Sequence, residues 1–346
     1  MACRAAGSGQ TYPVAMARSH FTLAALATSA VAELDVVGAA PFGTVGRGDF
    51  DSAIVTGRDG RHWIVRVPRS ERAEQQQSAD LVALRALSQG VRARLPFEVT
   101  TFAGQAPIDG TRAIVSQFVG GTAVKLSGID IELATSIGEA IAAIHGLPTS
   151  LVTDAGLPAH SAIDSHRACL AIIERAIGTG LVPAALARRW QQAGEDAGLW
   201  QFHPTVINGA LGADSFLAAA GEVTGVLGWQ GLRVGDPARD LSWVLGTRTD
   251  GIADAVFDAY TRVRGSVDRR LRQRATLASE LEVARWLLHG TETRSTEIVD
   301  DAVRMMSKLV DDVLGDATES IGPMTLPILA VDEVEALLDR AERSAS

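Results

Sequence analysis

Two stretches of this sequence carry the side chains whose order and spacing say most about chemistry. The first is Leu199-Trp-Gln-Phe-His-Pro-Thr-Val-Ile-Asn-Gly-Ala-Leu-Gly-Ala-Asp-Ser-Phe-Leu217, which offers His203, Asn208, Asp214 and Ser215. The second is Val223-Thr-Gly-Val-Leu-Gly-Trp-Gln-Gly-Leu-Arg-Val-Gly-Asp-Pro-Ala-Arg-Asp-Leu241, which offers Asp236 and Asp240. A carboxylate in such a segment can take or orient the proton of a hydroxyl, or hold a cation. Several of these groups also have plain structural readings. Asp236 stands before Pro237, which suits a helix N-cap followed by its first helical residue. Asp240 reads as a helix or packing carboxylate, and His203, before Pro204, as a turn residue. The seven histidines show no paired spacing with cysteine or carboxylate, so no zinc site is expected. Gly43, Gly46 and Gly48 are not followed by a helical pattern, so they form no dinucleotide fingerprint and suit a flexible loop over a cleft.

Around these stretches the periodicity describes two kinds of chain. From Met16 the run Phe21–Ala32 has the small-residue exit of a signal peptide. An amphipathic helix with Leu23, Leu26, Ala27 and Ala30 on one face is the preferred reading, because Glu33 and Asp35 lead straight into strand-like sequence. Val36-Val37, Ala53–Thr56 and Trp63–Val67 read as strands, with Arg58-Asp59-Gly60-Arg61 turning a hairpin between the last two. A polar helix over Glu71–Leu87 carries Leu81, Ala83, Leu84 and Leu87 as its apolar stripe. Phe97–Phe102 and Thr111–Phe118 are further strands. Beyond Gly120-Gly121 helices dominate: Ile131–His145, Ser161–Ile177, Pro183–Ala197, 250–264, 267–289 and 296–314, with short strands at Thr205–Ile207, Phe216–Ala219 and Val223–Trp229. Gly322–Ala330 is extended and Asp332–Glu342 a short end helix. The fold class is therefore α+β. The expected organisation is an extension over 1–19, a β-rich lobe over 20–118, a mainly helical lobe over 119–315 and a tail over 316–346.

In order and spacing, the two stretches resemble the core of the aminoglycoside and macrolide phosphotransferase family, which has a two-lobed protein-kinase-like fold. In that family the first stretch carries His-Gly-Asp-Leu-His-x-x-Asn (or His), and the second Ile-Asp-Trp followed by Gly-Asp-Pro-x-x-Asp-Leu. The resemblance spans roughly residues 20 to 315. It includes Trp63–Arg69 as the strand that supplies a basic group to the nucleotide and Ala140–His145 as the helix ahead of the catalytic segment. Val182-Pro183, Trp190 and Trp200 are similar to the macrolide-directed branch.

The resemblance also says what each position should do. Phosphoryl transfer relies on positioning and electrostatics: one carboxylate for the attacking hydroxyl, another with an amide or imidazole for magnesium. This sequence departs from that plan at four positions. The opening histidine is Asn208, the catalytic aspartate is Ala210, the metal-ligand Asn or His is Ser215, and the metal aspartate is Gly228. Their neighbours Gly209, Leu211, Leu227 and Trp229 are kept. Losing a general base alone forfeits ~10²–10⁴ in rate, and no intact catalytic or metal set remains. Asp214, four residues past Ala210, is the rescue candidate; its other reading is a solvated turn aspartate. On the nucleotide side, Arg66 stands where the family keeps a lysine and Asp80 where a helix carboxylate pairs with it. That pair reads equally as a nucleotide clamp or a surface salt bridge. Gln117, Phe118 and Val119 would offer backbone groups to the purine of ATP or GTP, with magnesium binding in doubt.

The bulk properties narrow the partners. A net charge of −9 argues against a nucleic-acid partner, and no run reaches the ~18 apolar residues of a membrane span. Two cysteines, Cys3 and Cys169, cannot make a disulfide framework, which leaves a reducing cytoplasm as the expected compartment. The expected function is a pseudokinase-like binder of a nucleotide or small molecule whose phosphoryl transfer is lost or greatly weakened. The alternative is an active, rewired ATP/GTP-dependent phosphotransferase acting on a hydroxyl of a small molecule such as a macrolide or aminoglycoside. A third reading is an interaction module whose tail at Met324–Leu329 docks to a protein partner.

Overall fold

The computed structural model describes residues 18–43, 48–247, 249–265 and 268–315. Gly46 and the expected segments 322–330 and 332–342 lie outside them. The chain divides into two compact units, Met1–Ser161 with Pro204–Val267 and Ala162–His203 with Asp268–Ser346.

The first unit opens with helix α1 (His20–Ala30), capped by the Ser19 hydroxyl, which accepts from Thr22 N. Its Leu23 and Ala27 are buried against Val55, Val65 and Val115, so the apolar run from Phe21 is a core helix in the folded chain. Strands β1 (Val36–Pro41), β2 (Phe50–Gly57) and β3 (His62–Pro68) follow. β2 alternates half-buried and buried side chains along its length, the period-2 pattern of a strand with one face on the core. The hairpin stands where Arg58–Arg61 predicts it, with Thr56 opposite His62. Helix α2 (Glu71–Ala86) starts at Ser70, whose hydroxyl accepts from Ala73 N, with Glu71 and Glu74 in its first turn.

After the short α3 (Gln89–Arg92) come β4 (Glu98–Val99), β5 (Phe102–Ile108) and β6 (Thr111–Gln117). The sequence reads Phe97–Phe102 as one strand, but it is two. Glu98–Val99 pairs with a later strand of another sheet, and Phe102 opens β5. The Arg92 guanidinium marks the break, donating to the carbonyls of Val99 and Thr100. Periodicity cannot report such a change of partner. The main sheet is ordered β1-β2-β3-β6-β5, with every pair antiparallel.

β7 (Thr122–Ala123), α4 (Ile131–His145) and α5 (Ser150–Asp154) complete the first segment of this unit. Asp130 caps α4 by accepting from Leu133 N at 2.9 Å. The chain then enters the second unit with α6 (Ala162–Gly178) and α7 (Ala184–Glu195). It returns to the first with β8 (Thr205–Ile207), β9 (Phe216–Ala219), β10 (Glu222–Val226), β11 (Arg233–Gly235), α8 (Ala238–Leu241) and α9 (Ile252–Arg264). These strands form a β4-β10-β9-β7 sheet and a β11-β8 ribbon. Gly138 lets α4 and α9 cross closely: a Cβ there would stand 2.4 Å from the Val256 carbonyl oxygen.

α10 (Leu271–Thr293) and α11 (Thr296–Gly315) finish the second unit. Its core surrounds the fully buried Trp190, together with Leu186, Leu199, Leu281 and Met306. The Trp190 indole N–H donates to Glu280 Oε2 at 2.8 Å, and Arg189 neutralises that buried carboxylate at 2.9 Å. A buried charge tolerates this position because it is paired and hydrogen-bonded. The whole is the kinase-like arrangement the resemblance implies, a β-rich N-terminal region followed by a mainly helical one.

Candidate functional site

β8 delivers the first motif to the surface through a tight turn. Asn208 and Gly209 are buried, while Ala210 is exposed. Gly209 adopts φ +78°, and a Cβ there would stand 2.5 Å from the Gly231 carbonyl oxygen and 2.8 Å from the Arg233 guanidinium. Only glycine fits on both counts. The turn is held from below by Asp240 of α8. Its Oδ2 accepts from Asn208 N and its Oδ1 from Gly209 N, each at 2.7 Å. Asp240 in turn meets His145 Nε2 at 3.3 Å, and His145 Nδ1 meets the Tyr260 hydroxyl at 3.0 Å. All three groups are buried. On the other side, Arg233 Nη2 and Arg239 Nε both donate to the Gly209 carbonyl, at 3.0 and 3.1 Å.

β10 delivers the second motif. Gly228 has φ +73°, and its carbonyl accepts from Asn208 Nδ2 at 2.9 Å, while Asn208 Oδ1 accepts from Ala210 N at 3.2 Å. One side-chain amide therefore ties the two degenerate loops together. Trp229, fully buried, donates its backbone N–H to Asp80 Oδ1 at 2.6 Å. The Ser215 hydroxyl accepts from Gly212 N at 3.1 Å, which makes it a loop-closing group. Asp214 is exposed in the single helical turn Ala213–Ser215. Asp236 accepts from Ala238 N through Oδ1 at 3.0 Å, the local cap that the Asp-Pro pair suggests. His203 is exposed.

Arg66 lies on β3 opposite Ser52 and Ile114, its guanidinium 5.2 Å from the centre of the Phe50 ring. Asp80 attracts it electrostatically, yet no ion pair within 4 Å joins the two among the described residues. The shortest bond of Asp80 goes to Trp229 instead. Desolvation raises the Asp80 carboxyl above its ordinary range, against the opposing pull of the Trp229 N–H and Arg66. Crowding lowers Arg66, countered by Asp80. The Arg66 side chain nevertheless keeps an exposed surface, so solvent still supports its charge and it remains a cation. In the connecting segment, Gln117 N donates to Thr101 O and Phe118 N to His62 O. Gln117 and Val119 line a cleft of about 280 Å³ with Arg92, Phe97, Glu98, Val99 and Thr101. The Phe118 ring stacks edge-on to Phe42 and His62.

Magnesium does not fit this loop pair. A magnesium site is usually built on one or two carboxylates with waters and phosphate oxygens. Here Ala210 and Gly228 supply none, both Asp240 oxygens are taken by backbone N–H groups, and no group of three His, Cys, Asp or Glu side chains stands together among the described residues.

Arg233, Arg239 and Gln230 escape a reading by motif, and Asp240, the motif's own carboxylate, clamps the whole turn rather than only packing. Arg233 and Arg239 converge on Gly209, and Gln230 stands beside Gly228: a Cβ added at Gly228 would lie 3.3 Å from Gln230 Oε1. The single sequence signal for them is their closeness to the Gly-Asp-Pro run.

A model of the phosphotransferase enzyme family matches residues 46–287. No curated protein sequence matches the chain. Among solved structures it is similar to the apoenzyme of a macrolide 2′-phosphotransferase from Brachybacterium faecium, at 20% identity and TM-score 0.67, covering 82% of this chain and 97% of that one. A macrolide 2′-phosphotransferase type I is 22% identical with TM-score 0.63, over 79% and 92% of the two chains. The GDP complex of a wild-type aminoglycoside 2′-phosphotransferase is 16% identical with TM-score 0.69, over 86% and 100%. These likenesses establish the fold. The family match, which takes in both motif stretches and well over half the chain, establishes that the chain belongs to the phosphotransferase enzyme family.

Proposed function

We propose that this chain is a nucleotide- or small-molecule-binding member of its family in which phosphoryl transfer is lost or greatly weakened. The observation that carries the reading is the contrast at the two loops. Asp240, Asn208, Arg233 and Arg239 hold the turn at Gly209, while the positions that should carry the base and the metal carboxylate present a methyl group and no side chain. A scaffold held by so many bonds around absent chemistry suits binding better than turnover. Arg66, exposed on β3 near Asp80, supports a phosphate-bearing ligand, as does the GDP held by an aminoglycoside phosphotransferase of the same fold. Gln117, Phe118 and Val119 would meet its base. A reducing, cytoplasmic setting belongs to the same proposal and agrees with the buried Cys169, which forms no disulfide among the described residues.

A thermal-shift titration with ATP and GTP, with and without magnesium, tests it. The expected result is a rise in Tm with at least one nucleotide and no release of phosphate. Turnover onto a macrolide or aminoglycoside hydroxyl would instead establish the rewired phosphotransferase. Asp214 is then the base to test, and Asp214→Asn should abolish that activity. No shift with either nucleotide would refute nucleotide binding and leave a role in binding another small molecule or a protein partner.

A further inference from the structure

The end of β6 has two faces, and the nucleotide reading uses only one of them. In the register of β3 with β6, Arg66 stands opposite Ile114, Val65 opposite Val115 and Trp63 opposite Gln117. Cross-strand partners share a face, and successive residues alternate between faces. Val65 and Val115 belong to the core beneath α1, with Trp63 packed against them. The Gln117 side chain therefore stands on the face away from Arg66.

The cleft of about 280 Å³ that Gln117 and Val119 line is a second place, apart from the motif loops. Among the described residues its lining includes neither Arg66 and Asp80 nor the turns at Gly209 and Gly228. It is built where the chain changes sheet before β5. Glu98 pairs in parallel with Gly225, and a Cβ at Gly225 would stand 2.5 Å from Val119 Cγ1, so Val119 fills that space. Arg92 is the cation of the lining, and its donors go to the carbonyls of Leu84, Leu87, Val99 and Thr100 and to the Thr101 hydroxyl. Glu98 is exposed, and among the described residues neither its carboxylate nor the Gln117 amide has an ion-pair or hydrogen-bond partner.

We propose that this cleft binds a small organic cation, an ammonium or amidinium on a short apolar body, with Glu98 and the Gln117 amide oxygen accepting its N–H groups. The site is independent of the nucleotide reading, which uses the backbone of the connecting segment and not these side chains.

Charge, surface and size agree. A carboxylate with unused acceptors attracts a cationic donor, and charge-assisted hydrogen bonds are the stronger kind. Phe97, Val99 and Val119 offer apolar surface to the rest of the ligand. The volume is at the small end of the ~300–1,000 Å³ of ligand clefts, which suits one ring or a short chain. An anion is disfavoured, because the Arg92 donors are directed at the backbone and the protein carries a net charge of −9.

The test is a titration of the isotope-labelled full-length protein followed by amide chemical shifts. Benzamidine and phenethylamine serve as cations, with benzamide and benzoate as neutral and anionic counterparts. At least one cation is expected to shift the amides of Glu98, Val99, Gln117 and Val119 saturably, and to bind about fivefold or more tightly than either counterpart. Glu98→Gln should weaken that cation about fivefold, the worth of one solvent-screened ion pair. It should leave Tm unchanged, because the carboxylate has no partner within the chain to lose. Raising the salt concentration should weaken the cation in the wild type and have little effect in the variant. Equal affinity for cation, amide and acid, or an affinity that Glu98→Gln does not change, overturns the proposal. So does a saturable shift confined to Arg66, Gly209 and Gly228, or none with either cation. Each of these outcomes is read without nucleotide, so none of them decides nucleotide binding.

Discussion

A carboxylate put back at Ala210 and one put back at Gly228 would meet different surroundings. Ala210 is exposed and has an ordinary backbone, so an aspartate there costs little. Gly228 has φ +73°, a left-handed conformation that aspartate tolerates better than most residues, at about 1 kcal/mol. Gln230 can swing away because only the end of its flexible side chain is in contact. The double variant Ala210→Asp with Gly228→Asp is therefore expected to fold, to bind nucleotide and to hydrolyse it with magnesium above the wild-type background. A folded, nucleotide-binding double variant with no gain in phosphate release would show that more than these two side chains is missing. The departures at Asn208, Ala210, Ser215 and Gly228 were legible in the sequence, because a motif fixes positions along the chain. The partners these residues adopted were not. Nothing in the order of residues says that Asn208 spans from Gly228 O to Ala210 N, or that Asp80 prefers Trp229 N to Arg66.

Between elements, the crossing of α4 and α9 sets a stricter limit than helix propensity. Alanine is favoured over glycine in a helix by about 1 kcal/mol, so Gly138→Ala would stabilise an isolated helix. Here the added methyl would stand 2.4 Å from a backbone oxygen of α9 and 2.9 Å from Ala259 Cβ, and backbone cannot move aside cheaply. Overpacking of this kind costs about 1–3 kcal/mol, so Gly138→Ala is expected to lower Tm in a thermal melt. An unchanged or raised Tm would mean the helices separate freely.

The same two elements carry a titration. Burial pushes the Tyr260 hydroxyl up to about 12, so the folded state holds this proton more tightly than the unfolded chain, whose tyrosine titrates near ~10. Stability from this group is complete below the unfolded value and is lost as pH rises from about 10 to about 12, amounting to on the order of 2 kcal/mol. Urea unfolding across pH 9–12 should show this decline, and Tyr260→Phe should flatten it while losing the bond to His145 at all pH values. A decline of equal size in the variant would assign it to other groups. At this scale the sequence reported the hairpin, α2 and α4 well, since caps and turn residues act locally. It missed the break after Val99 and the pairing of β11 with β8, which depend on distant partners.

Over the whole molecule, the chain enters the second unit, leaves it and returns, so that unit is built from two segments far apart in sequence. Trp190 and Leu186 of α7 are covered by residues of α10 and α11, among them Leu281 and Met306. A fragment ending at residue 267 keeps α6 and α7 and removes that cover. It is expected to associate through the exposed face and elute as aggregate in size-exclusion chromatography, whereas the full chain should not. A monodisperse fragment would show that α6 and α7 hold their core without α10 and α11.

The kinase-like family and the α+β class could be read along the chain, and so could the departures from the family motif at Asn208, Ala210, Ser215 and Gly228. Each rests on residue type and spacing, which folding does not alter. The pinned turn beneath Asp240, the amide bridge of Asn208 and the arginines converging on Gly209 could not. They join residues 20 to 95 positions apart, and such contacts exist only once packing has closed the long loops between them.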